Sequence, residues 1–150
     1  MSQTFKNVHV LVIDSNVGIQ TILLSLIRAL GFPNIKLATD GVEARAMLPG
    51  VRPDLIICNL NFPASDGLDF ANWLRNDVEN PFTAVPIIMV SSDTEERSVK
   101  ACLQAGVNQL LAMPVTGKAM ATRIRRIIMD KRPFVREPGY AGPQRTPSAA

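Results

Sequence analysis

Five short, nearly continuous apolar runs alternate with five longer stretches whose apolar residues recur every three or four positions. That alternation limits the available folds more than any other feature. The first run, Val8 to Asp14 (VHVLVID), is apolar and β-branched almost throughout, as a central parallel strand covered on both faces should be. From Val17 to Leu30 the apolar residues Ile19, Ile22, Leu23, Leu26, Ile27 and Leu30 fall at helical spacing, and Gly31 follows as a stop. The pattern then repeats. Ile35 to Ala38 reads as a strand, Gly41 to Leu48 as a helix ended by Pro49 and Gly50, and Leu55 to Asn59 as a third strand. Leu68 to Arg75 reads as helix three, Ile87 to Ser91 as strand four, and Glu95 to Ala105 as helix four, with Asp93 and Glu96 spaced as a capping box. Gln109 to Ala112 is strand five. Helix five runs from about Lys118 to Asp130, with Met120, Ile124, Ile127 and Ile128 expected inward and Arg123, Arg125 and Arg126 largely outward.

Strands and helices alternating at these lengths predict a doubly wound α/β domain, a mainly parallel sheet with helices on both faces, because each right-handed crossover must lay its helix on the sheet. The 150 residues amount to one domain and a tail. The body is expected over residues 1–130, with its core at about 8–128. From Pro133 onward, Pro133, Pro138, Gly139, Gly142, Pro143 and Pro147 leave little to bury, so 131–150 is expected to be an extended or flexible tail.

The net charge of +3 suggests nucleic acid until it is divided along the chain. Residues 1–130 hold twelve Lys and Arg against twelve Asp and Glu, whereas Lys131, Arg132, Arg136 and Arg145 face only Glu137 in the tail. A neutral body gives weak support to a nucleic-acid-binding face. Aromatic residues make up 5% of the chain, which argues against stacking surfaces for bases or flavins. No apolar run reaches the roughly 18 residues of a membrane span, and MSQTFKN has no basic-then-apolar leader pattern, so a cytoplasmic location is expected. Cys58 and Cys102 stand far apart without a CxxC pair, and His9 has no second histidine for a metal site. Both cysteines are expected to be buried apolar residues.

In open parallel sheets ligands bind outside the carboxyl ends of the strands. There the chain places Asp14 and Ser15 after strand one, Asn59 and then Asn61 after strand three, Ser91 and Ser92 after strand four, and Met113 and Pro114 after strand five. Together with VLVID, LGF, ATDGVEA, PDLIICNLNFPASDGLDF, PIIMVSS and AGVNQLLAMP in that order, this resembles the receiver domains of bacterial response regulators from about Val8 to Ile128. The resemblance implies a five-stranded, flavodoxin-like sheet of order 2-1-3-4-5 with a phosphorylation pocket at its top. In working receivers that pocket holds an acidic pair after strand one, a phosphoacceptor Asp ending strand three, a Ser or Thr ending strand four, and a Lys before a cis-proline after strand five. By position Asp14 matches the first acid, Ser91 the hydroxyl, Pro114 the proline, and Asn61 the residue whose carbonyl helps hold the metal. Ser15 stands at the second acid, Asn59 at the phosphoacceptor, Met113 at the lysine, and Leu110 at the switch aromatic.

These departures agree chemically. Phosphoryl transfer needs an anionic oxygen nucleophile, and the amide oxygen of Asn59 is neutral. Magnesium favours several oxygen ligands with carboxylates among them, and this pocket retains one carboxylate of three. Magnesium is expected to bind weakly, if at all, through Asp14 and Asn61, with no other cofactor and no catalytic residue. Methionine in place of lysine fits a pocket in which that charge is not required. The resemblance and its departures together imply a degenerate receiver, a non-enzyme acting in two-component signalling by binding a protein. Its kinase, regulator or output partner would meet the face formed by helix four, strand five and helix five.

Plainer readings stand beside these. Asp14 fits a helix cap or an acceptor of local N–H bonds, Ser91 a bond to nearby backbone, and Asn59 a strand-end amide linked to Asp14 or Ser91. His9 reads as structural, Trp73 as packing and Asp66, before Gly67, as turn or cap chemistry. Three alternative functions remain: a relay receiver phosphorylated on Asp66 or on deamidated Asn59, a salt-sensitive nucleic-acid binder using the tail, and a flavodoxin-like electron carrier. The loop SNVGIQT gives the last no phosphate cradle.

Overall fold

The computed structural model describes residues 5–60 and 66–145. Its order is β1 His9–Ile13, α1 Val17–Ala29, β2 Asn34–Ala38, α2 Gly41–Val51, β3 Leu55–Asn59 and α3 Asp66–Asn76. It continues through β4 Ile87–Ser91, α4 Glu96–Gln104, β5 Gln109–Ala112, α5 Gly117–Met129, β6 Phe134–Glu137 and β7 Tyr140–Pro143. The first five strands form one parallel sheet of order β2-β1-β3-β4-β5. All five strands and five helices expected from the apolar pattern are present.

The period-two alternation of a strand divides the apolar residues into two layers. Leu11, Ile13, Ile56, Cys58, Ile87 and Met89 point toward α2, α3 and α4, where they meet Leu48, Phe70, Leu74 and Cys102. Val10, Val12, Ile57, Ile88 and Val90 point the other way, onto Leu23 and Ile27 of α1 and Met120 and Ile124 of α5. Every residue of β3 and β4 is buried, which explains why those strands read as unbroken apolar runs. Among the described residues no helix is long and apolar enough to cross a membrane.

Several expectations are corrected. Pro49 does not end α2, which runs to Val51 and stops at Arg52 in the left-handed region at φ 52°. The bond that Pro49 forgoes would have gone to the carbonyl of Arg45 on an exposed face, where water can replace it. Asp93 and Glu96 form no capping box. The N-cap of α4 is Glu95 without a side-chain bond, while Asp93 accepts from the Glu95 N–H at 3.0 Å and the Ser98 hydroxyl at 2.6 Å. Ile128, expected inward, is 63% exposed. It borders an open groove with Leu30 and Phe32, beyond the last turn of α1.

The largest difference is the tail. Residues 134–143 form an antiparallel hairpin, β6 with β7, that packs on the body instead of extending from it. Its anchor is Arg75, 1% exposed at the end of α3. The Arg75 guanidinium donates to the carbonyls of Gly106, Thr83 and Val85 and to Asn108 Oδ1, all at 2.8–2.9 Å. From the hairpin, Arg136 donates to the Arg75 carbonyl at 2.6 Å and to Thr83 Oγ1 at 2.9 Å, and the Phe134 ring lies 5.6 Å from the Arg75 guanidinium. Gly106 allows the approach. It has φ +85°, and a Cβ there would sit 2.1 Å from the Ala141 carbonyl oxygen. Composition counted few apolar groups to bury but could not weigh a buried arginine that several carbonyls hold in place.

Candidate functional site

The carboxyl ends of β1, β3, β4 and β5 bring Asp14, Asn59, Ser91 and Met113 to one end of the sheet. Asp14 is fully buried. Its Oδ1 accepts from the Asn16 N–H at 2.8 Å and its Oδ2 from the Asn59 side-chain amide at 2.7 Å. Both carboxylate oxygens are thus engaged by the protein's own donors. The cap of α1 is Asn16, whose side chain accepts from the Ile19 N–H, so Asp14 serves as a local N–H acceptor rather than as the cap.

Ser91 is 6% exposed, and its hydroxyl oxygen accepts from the Asp93 N–H at 2.8 Å and donates to the Asp93 carbonyl at 3.1 Å. These bonds tie it to the loop that follows β4. The same loop turns on Asp93, whose carboxyl is held below the usual carboxylate range by the bonds from Ser98 and the Glu95 backbone. Met113 donates its N–H to the Ser91 carbonyl at 2.9 Å, and its side chain packs into the layer beneath α1 and α5. The Met113–Pro114 bond is cis. Leu110 is partly buried against the opposite layer, and Ser15 is exposed. Asn61 lies outside the described residues, and Asp66 is the first residue of α3.

Chemically, the site pairs one carboxylate with one amide where a working receiver gathers acids and a lysine. Among the described residues no group of three or more His, Cys, Asp or Glu side chains is placed to hold a metal ion. One contributor was not anticipated. Gln20, buried on α1, donates its side-chain amide to the Asp14 carbonyl and so fixes the first helix to the end of β1. Its signal was a polar residue set between Ile19 and Leu23, at positions that face inward.

Outside the site, Trp73 packs against Phe70 and under the Arg45 guanidinium, and His9 lies at the exposed start of β1, where its backbone N–H donates to Asp54 Oδ2. Cys58 and Cys102 are both buried, and neither forms a disulfide among the described residues.

Comparison with known proteins agrees with this architecture. Residues 10–125 match the response regulator receiver domain, so the chain belongs to that family, the receivers of two-component signalling. It is 29% identical over 122 residues to chemotaxis protein CheY-3 of Vibrio cholerae serotype O1, covering 81% of this chain and 92% of that one. To chemotaxis protein CheY of Pseudomonas aeruginosa it is 29% identical over 118 residues, 79% of this chain and 94% of that one. In structure it resembles the chemotaxis response regulator CheY4 of Vibrio cholerae, with a TM-score of 0.71 over 80% of this chain and 98% of that one, at 23% identity. Both sequence matches cover less than the whole chain. Receivers of this type act through protein partners such as kinases and output proteins.

Proposed function

We propose that this chain is a phosphorylation-independent receiver of the cytoplasm, a non-enzyme that signals by binding a protein partner. The observation that carries the reading is the hydrogen bond from Asn59 to Asp14 in a pocket with no lysine. In a working receiver the acids hold a magnesium ion, and the acceptor carboxylate attacks a phosphoryl group. Here the residue at the acceptor position supplies a neutral amide, and the amide satisfies the remaining carboxylate without a cation. Met113, turned into the core, offers no ammonium to hold a phosphoryl group.

The partner face is that of α4, β5 and α5, extended by the hairpin. Lys100, Leu103 and Gln104 of α4 share a cleft with Glu137, Tyr140 and Arg145, which supports a role for the C-terminal residues in recognition. The test is a backbone amide spectrum recorded with and without magnesium and beryllofluoride, a phosphoryl mimic. The reading expects the signals of Asp14, Ser91, Ser92 and Leu110 to stay in place. Shifts along β4 and β5 at millimolar magnesium would overturn it.

A further inference from the structure

The two faces of the sheet differ in charge. The helices α1 and α5 carry Arg28, Lys118, Arg123, Arg125 and Arg126 and no acidic residue. On the opposite face α2, α3 and α4 carry both signs, with Glu43, Asp69 and Glu96 beside Arg45, Arg97 and Lys100. The cationic layer also carries an open apolar groove.

That groove, about 210 Å³, lies where α5 runs past the end of α1. Phe5 and Phe32, stacked with ring centroids 4.1 Å apart, line it together with Leu30 and Ile124. Ile128, 63% exposed, and Arg125 stand at its edge, and Met129 beside them is 66% exposed. Its volume is below the roughly 300–1,000 Å³ of a small-molecule site, and suits one or two anchoring side chains. Large apolar groups left in water beside a concave apolar surface mark a protein contact rather than a nucleic-acid contact, which would use the cations alone.

We infer that the α1–α5 groove receives an amphipathic helix with an acidic polar face. Its apolar anchors would enter between Leu30 and Ile128 at helical spacing, and its carboxylates would meet Arg125 and its neighbours. The inference is independent of the phosphorylation pocket, which lies at the ends of the strands, and it adds a surface that shares α5 with the α4–β5–α5 face but turns toward α1.

The test uses the full chain and a fluorescein-labelled 18-residue synthetic helix with leucines on one face and glutamates on the other, read by fluorescence anisotropy. A second peptide of the same composition has its leucines scattered around the helix. The first peptide is expected to bind saturably, at least tenfold more tightly than the second. Arg125→Glu and Ile128→Gln, both at exposed positions, are each expected to weaken it at least tenfold. Absence of binding would overturn the inference, as would equal binding of the two peptides. So would a homodimer in sedimentation that Ile128→Gln dissolves, or preferred binding of a DNA duplex that ignores Ile128→Gln and collapses with salt.

Discussion

The side-chain amide of Asn59 donates to Asp14 Oδ2 at 2.7 Å, joining the ends of β3 and β1 across the place where a working receiver coordinates its metal. An aspartate at position 59 would turn this attraction into repulsion between two carboxylates.

Asn59→Asp is therefore expected to lower stability by about 1–3 kcal/mol near neutral pH, because two buried carboxylates at this distance cannot both ionise freely. The sign follows from the raised pKa of one of them in the folded state. The folded protein holds that proton more tightly than the unfolded chain, so the loss disappears toward pH 4 and grows as the pH rises through the carboxylate range. Urea denaturation of wild type and variant at pH 4.5 and 7.5 checks this. Millimolar magnesium is expected to return part of the loss in the variant alone.

Gly106→Ala is expected to detach the hairpin. The new Cβ would meet the Ala141 carbonyl oxygen at 2.1 Å, and the backbone at φ +85° disfavours any side chain. Amides of β6 and β7 should then exchange hydrogen much faster, while those of β1 and β3 keep their protection. An unchanged hairpin pattern would contradict the packing described.

Arg75→Met should destabilise the whole domain, by about 3 kcal/mol or more, because it leaves the Gly106, Thr83 and Val85 carbonyls without their donor. Burial already lowers the Arg75 pKa to about 10, consistent with a guanidinium that no carboxylate accompanies. Thermal denaturation of the variant checks the direction. A melting temperature equal to wild type would show that the hairpin anchor contributes nothing.

Neither cysteine should react with a thiol reagent at pH 8 in the native protein. Burial, with Asp93 adding to it, raises the Cys102 thiol to about 11, so about one molecule in a thousand carries the thiolate at that pH. Because the folded pKa is the higher one, this group's contribution to stability is intact below about pH 9 and is lost as the pH rises toward 11. Stoichiometric labelling of both residues only in denaturant is the expected outcome.

Much of this was legible in the sequence, for physical reasons that differ from place to place. β3 and β4 were plain because strands buried on both faces admit almost nothing but apolar residues. The pocket was legible because Asp14, Asn59, Ser91 and Met113 each end a strand, and a parallel sheet brings such ends together. Less visible were features decided by tertiary contact. Pro49 looked like a helix stop, yet the exposed face of α2 tolerates the missing bond. Ile128 had inward spacing, but α1 ends before it can cover that turn. The hairpin was hidden because its anchor, Arg75, is an arginine on a helix, a residue that composition assigns to the surface, and because Gly106, which admits it, stands some thirty residues away in sequence.

The most direct test of the central claim is the intact mass of the wild-type protein after incubation with magnesium and a small-molecule phosphodonor, beside Asn59→Asp under the same conditions. The account predicts no phosphoryl adduct on the wild type. A stoichiometric adduct on the wild type would contradict it and make this chain a working receiver with its acceptor elsewhere.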